Sequence, residues 1–245
     1  MLASTLLCVI ATLLLLIGAA LTLARVFDWP IDYFLQSLVA FVGLLLALGP
    51  LLPQHRPLTR FGAANAVTLL RAGIAALFAG LIGRPILVPA EAWGLAALAI
   101  VALILDGMDG WLARRHGMQS PFGARFDMEV DACFILILAV LVWQSGKAGA
   151  WVMLSGAMRY GFVVLGYGLP WLNRPLPPRR RRQTVCVIQT VVLALCLTPP
   201  LVPPFSTVLA VAALGLLALS FAVDVAWLWR QHRLSPGNAP QNPRF

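Results

Sequence analysis

Apolar residues run along this chain in eight long blocks, at roughly 3–24, 33–52, 65–83, 92–112, 124–143, 149–171, 184–199 and 205–229. Blocks of about twenty apolar residues are long enough to cross a bilayer as helices. The pattern therefore predicts an all-α, polytopic membrane protein. The first block begins directly at Met1 without a basic stretch before it, so it reads as a retained transmembrane helix and not as a cleaved signal peptide.

The polar segments between the blocks test this reading. With the N-terminus in the cytoplasm, the segments at 53–64, 113–123 and 172–183 and the tail after 230 face the same compartment. They hold Arg56, Arg60, Arg114, Arg115, Arg174, Arg179 to Arg182, Arg230, Arg233 and Arg244. The opposite segments hold Asp28, Asp32, Arg84, Glu91, Lys147 and the uncharged "TPPLVPPF", with Arg25 the one misfit. This is the asymmetry of the positive-inside rule. It predicts an integral, multi-pass protein of the cytoplasmic (inner) membrane.

The Pro-containing segment "GPLLPQHRPLTRFG" sets the first two blocks apart from the other six. We therefore expect a two-helix membrane extension at 1–58, a six-helix domain at 59–233 and a disordered, turn-rich cytoplasmic tail at 234–245. No internal repeat is visible.

Composition agrees: 60% of residues are hydrophobic and 11% charged, with a mean hydropathy of +0.88. The net charge of +9 comes almost entirely from arginine, Lys147 being the only lysine. In a membrane protein such an excess marks cytoplasmic loops and anionic headgroups, and nothing here resembles a soluble nucleic-acid module. Cys8, Cys133, Cys186 and Cys196 all lie in apolar blocks without CxxC or Cys/His spacing. They read as small buried hydrophobes, not as a disulfide framework or zinc site.

Against this background one stretch stands out: "LDGMDGWLARRHGMQSPFGARFDMEVDACF", residues 105–134. It carries Asp106, Asp109, Asp127 and Asp131, four of the nine acidic residues in the chain. On a helix, Asp106, Asp109, Gly110, Ala113 and Arg114 share one face. Ser120-Pro121 predicts the start of a second helix, serine suiting the N-cap and proline the first position inside. Asp127 and Asp131 then share a face of that helix. Carboxylates brought together near a membrane surface repel one another unless divalent cations lie between them. Oxygen donors suit Mg²⁺, Mn²⁺ or Ca²⁺, and two such ions can clamp a phosphoryl group. Gly110 and Gly123 leave room for a close substrate, and Arg114 can meet a phosphate. The alternative is a solvated cluster paired with Arg114, Arg115 and Arg125. It fits poorly because Asp106 lies inside an apolar block, where a charge needs a function or a partner. Glu129 falls about 200° around the helix from Asp127 and is given no metal role.

Written as a pattern, the stretch is D-x2-D-G-x2-A-R-x8-G-x3-D-x3-D, filled by Asp106, Asp109, Gly110, Ala113, Arg114, Gly123, Asp127 and Asp131. It resembles the signature of the CDP-alcohol phosphotransferase (CDP-alcohol phosphatidyltransferase) family. "NAVTLLR", with Asn65, Thr68 and Arg71, is similar to the start of the first family helix, and six blocks from about 65 to 230 match the family's six-helix core. The first two blocks lie outside it. The resemblance implies that Asp106, Asp109 and Asp127 hold two Mg²⁺ or Mn²⁺ ions, with Asp131 shared between ligation and general-base duty. It implies that Gly110, Arg114 and Ser120 contact the CDP moiety and that Gly123 leaves room for it. Asn65 and Thr68 would line the nucleotide pocket, or else cap and back-bond their own helix. The implied reaction is attack by an alcohol hydroxyl on the lipid-side phosphorus of a donor such as CDP-diacylglycerol, releasing CMP in phospholipid biosynthesis. The active site would face the cytoplasm, with the lipid tail held in the bilayer. A homodimer is what the resemblance suggests.

Two features address the acceptor. Arg159 falls near the middle of the sixth block, with Asp224 as a candidate partner. The run Arg179 to Arg182, followed by Thr184 and Gln189, stands at the cytoplasmic start of the seventh. Ordinary membrane anchoring explains the run equally well. If Arg159 and the run, Arg181 and Arg182 included, face the cavity, the acceptor carries a phosphate, as glycerol 3-phosphate or an inositol phosphate does. Serine or choline is less favoured. A membrane prenyltransferase using Mg-bound diphosphate would place its acidic motifs in two separate hairpins. A cation transporter would not need the Gly110, Ala113, Arg114 and Gly123 spacing. A non-catalytic relative would be expected to carry an incomplete motif.

Overall fold

A computed structural model describes residues 2–55, 61–84, 88–115, 120–174, 176–177 and 180–234. Eight α-helices follow one another: α1 (Leu2–Val26), α2 (Ile31–Leu48), α3 (Ala63–Ala79), α4 (Pro89–Arg115), α5 (Pro121–Gln144), α6 (Leu154–Gly168), α7 (Arg180–Cys196) and α8 (Phe205–Leu234). Short 3₁₀ turns occupy Gly49–His55, Ala150–Met153 and Pro170–Asn173, and no strand occurs among the described residues. The expected tail falls almost wholly outside the described residues.

Each apolar block has become a helix, but the eight are not alike. Four of them, α1, α2, α4 and α8, are long and apolar enough to cross a membrane on their own. The helices α3 and α6 are shorter, at 17 and 15 residues. The first three turns of α5 carry Arg125, Asp127, Glu129 and Asp131, and α7 opens on three arginines. In these four, several polar groups pair with neighbouring helices: Arg71 of α3 with Asp127 and Asp131 of α5, Arg159 of α6 with Glu129 of α5, and Arg181 of α7 with Asp224 of α8, as charges at membrane depth need.

The centre of the bundle is α3. It packs against α1, α2, α4 and α5, and every residue from Arg71 to Ala79 is buried. Its sequence, "AANAVTLLRAGIAALFA", is rich in alanine and glycine, and small side chains let helices approach closely on several sides. Gly73 faces the Thr12 methyl of α1. At Gly80, just past the helix, a Cβ would run into the Tyr33 ring and Ser37 of α2. Gln36 of α2 donates to the carbonyls of Ala79 and Ile82, each at 3.1 Å. The first two helices are thus docked tightly on the core.

Polar ties fasten the end of the bundle away from the aspartates. Trp29 Nε1 donates to Glu91 at 2.9 Å. Gln144 Nε2 donates to the carbonyls of Leu81 and Arg84 at 2.9 and 2.7 Å. Lys147 Nζ donates to the Leu201 carbonyl at 2.6 Å. At the other end, the starts of α3 and α5 meet the end of α4 and the 3₁₀ turn that follows α2.

Candidate active site

At that second end, three helices converge on one arginine. Arg71, on the third turn of α3, is only 6% exposed. Its Nη2 lies 2.7 Å from Asp106 of α4. Its Nη1 donates to Asp127 of α5 at 2.6 Å, and Nη2 also donates to Asp131 one turn further along α5. One oxygen from each carboxylate lies within 4.8 Å of the others. The i, i+4 spacing puts Asp127 and Asp131 side by side on the face of α5 that meets α3, and the antiparallel return of α4 brings in Asp106.

The donor set is all oxygen, as Mg²⁺ or Mn²⁺ requires. Three carboxyl groups meet a single guanidinium, and each retains a second oxygen for ligation. The residues fit divalent cations. The fourth expected ligand, Asp109, lies on α4, but its side chain and that of Arg114 fall outside the described residues, as do the surroundings of Gly110.

Seven residues earlier on α5, Ser120 is the N-cap with Pro121 at the first helical position, as the sequence predicts. Its Oγ accepts from the backbone N–H of Gly123 at 3.0 Å. Gly123 faces Asn65 of α3: a Cβ there would lie 2.8 Å from Asn65 Oδ1 and 3.3 Å from Ser120 Oγ. Asn65 does not cap α3, since Gly62 holds that position; its Nδ2 donates to the Phe61 carbonyl at 2.6 Å. Thr68 Oγ1 back-bonds to the Ala64 carbonyl at 3.1 Å. Asn65, Ser120 and Gly123 therefore form one cluster, beside the carboxylates along the same two helices.

The second arginine group differs from expectation. Arg159 does not pair with Asp224. Its Nη2 pairs with Glu129 of α5, the acid that helix geometry turns away from the other carboxylates and so toward α6. Asp224 of α8 instead takes Arg181 at 2.6 Å and lies 3.7 Å from Arg182 Nε. Arg181 also donates to the Ser220 carbonyl at 2.8 Å. Arg179 lies outside the described residues.

Two residues that the structure brings to this end of the bundle carry no role in the sequence reading. Arg71 was legible as part of "NAVTLLR" yet received no role, although an arginine inside an apolar block signals a site or a partner. His55, in the 3₁₀ turn Gly49–His55, carried no signal in the chain. It is fully buried, with Nδ1 2.8 Å from Ser120 Oγ.

Residues 61–228 match the family model for CDP-alcohol phosphatidyltransferase. The chain belongs to that family and is a transferase. No curated protein and no solved structure matches it. The family match begins at Phe61, so α1, α2 and His55 lie outside it.

Proposed function

We propose that this protein transfers a phosphatidyl group from a CDP-linked lipid such as CDP-diacylglycerol to the hydroxyl of a polar, phosphorylated alcohol, with release of CMP. The observation that carries this reading is the ring of Asp106, Asp127 and Asp131 gathered on Arg71 in a chain of this family. Asp106, Asp109, Asp127 and Asp131 would hold two ions. Bound Mg²⁺ or Mn²⁺ would neutralise the diphosphate and stabilise the leaving CMP.

The remaining work falls to the chain. Asp131 accepts the proton of the acceptor hydroxyl. That oxygen bonds to the lipid-side phosphorus while the bond to the CMP oxygen breaks, and the electron pair leaves with CMP. Gly110, Arg114 and Ser120 bind the CMP half, with Asn65 and Thr68 beside them, and Gly123 leaves it room. Excess positive charge at the start of α7 supports a phosphate on the acceptor: Arg181 and Arg182 share the single carboxylate of Asp224. Arg159 joins them as a candidate acceptor contact, its charge balanced by Glu129. The arginine-rich segments support a site on the cytoplasmic face.

The test is CMP release by purified protein given CDP-diacylglycerol, Mg²⁺ or Mn²⁺, and a panel of alcohols. Release should depend on the acceptor and should disappear in Asp131→Asn. Silence with every acceptor, or full activity in that variant, would overturn the reading.

A further inference from the structure

We propose that the N-terminal helix pair completes the donor side of the site, with His55 as the residue that positions Ser120. The inference rests on the proposed role of Ser120 toward CMP. Its basis is a contact that crosses from the segment outside the family match into the catalytic helices.

The 3₁₀ turn Gly49–His55 continues directly from α2 and packs against α5. It delivers the His55 ring into an aromatic enclosure. The ring meets Phe122 edge-on at 5.6 Å and Phe61 at 6.5 Å. Phe122 stacks on Phe126 at 5.6 Å. In so dry a setting a hydrogen bond is stronger and its loss dearer than in water. Nδ1 makes that bond to Ser120 Oγ at 2.8 Å.

Ser120 thereby has two fixed partners. Its Oγ accepts from Gly123 N–H, which closes the N-cap of α5, and it faces His55 with its remaining capacity. The cap alone holds the Ser120 oxygen from one side; the His55 ring nitrogen holds it from another, accepting the hydroxyl hydrogen where Nδ1 is bare and donating to the oxygen where Nδ1 is protonated. The residue so held caps the helix that carries Asp127 and Asp131, next to Gly123, whose missing side chain lets Asn65 approach closely. The lipid-side helices α1 and α2 are thus more than an anchor: the docking of α2 on Gly80 and Gln36's bonds to α3 hold the turn that holds Ser120.

The experiment uses the full chain in detergent or nanodiscs and compares KM for CDP-diacylglycerol with kcat, alongside thermal stability. His55→Ala should raise donor KM about tenfold, the equivalent of one hydrogen bond, with a smaller change in kcat. His55→Asn, which keeps a polar nitrogen near the same place, should recover most of the loss. His55→Phe fills the enclosure without a nitrogen and should resemble His55→Ala in KM while keeping stability. In a Ser120→Ala background, adding His55→Ala should change donor KM less than twofold, since the two residues act as one unit. An equal loss in both backgrounds, or a His55→Phe chain with unchanged KM, would overturn the role of His55. A Ser120→Ala chain with unchanged donor KM would instead refute the donor reading of Ser120 itself.

Discussion

Arg71 sits where three carboxylates would otherwise face one another. Removing one partner from a fully buried charge group costs about 3–5 kcal/mol, and the cost here is smaller because the three carboxylates are 24–39% exposed and water can solvate them in part. Arg71→Ala should therefore lower the thermal unfolding temperature clearly in chelator, and millimolar Mn²⁺ should restore part of the loss by supplying charge to the same oxygens. Arg71→Lys should fall between, since one ammonium cannot spread donors over three carboxylates as a guanidinium does. Equal destabilisation with and without Mn²⁺ would remove the carboxylate ring from the list of metal sites. Why the sequence pairs the carboxylates with one another but not with their arginine follows from range. Asp127 and Asp131 share a helix, so periodicity alone pairs them; Arg71 lies 56 residues from Asp127, and no local pattern encodes that meeting. Arg159 shows the same limit. Charge complementarity allowed Glu129 or Asp224, and only the packing of α6 on α5 decides for Glu129.

At the scale of elements, apolar runs locate helices well and their ends less well. The seventh block starts at 184 by hydrophobicity, whereas α7 begins at Arg180; its first turn is charged and lies beyond the apolar stretch. Likewise α8 extends to Leu234, past the end of its apolar block at 229. The start of α5 was legible because Ser120-Pro121 is a local chemical signal that needs no partner. The docking of α2 on α3 was not legible, since its key residue, Gly80, looks like an ordinary helix end. That contact has a direct test. Gly80→Ala would force a Cβ against Tyr33 and Ser37, and overpacking of this kind costs about 1–3 kcal/mol. Gly43→Ala, on α2 with nothing within 4 Å of its Cβ, should be neutral or stabilising by up to about 1 kcal/mol. Thermal unfolding of the two variants should separate by that margin. Equal behaviour would mean that α2 does not rest on Gly80.

For the molecule as a whole, charge sets direction. Arginines gather at one end of the bundle, where α7 starts and α8 ends, while Lys147 and Glu91 mark the other. The carboxylate ring lies at the arginine-rich end because α3 and α5 both begin there and α4 ends there. A donor whose diphosphate is to meet those carboxylates must therefore approach from the arginine-rich side, with its acyl chains between helices. Positive-inside bias predicts that this side is the cytoplasm. Cysteine labelling decides it. In a chain whose four native cysteines are replaced by alanine, Ala150→Cys and Leu234→Cys each introduce one exposed thiol, at opposite ends of the bundle. A membrane-impermeant maleimide should label Ala150→Cys from outside intact cells and reach Leu234→Cys only after permeabilisation. The reverse pattern would put the site on the outer face, away from cytoplasmic CDP-linked lipid, and would require a different donor. Labelling of both from one side would break the alternation of α6, α7 and α8 that puts Ala150 and Leu234 at opposite ends of the bundle.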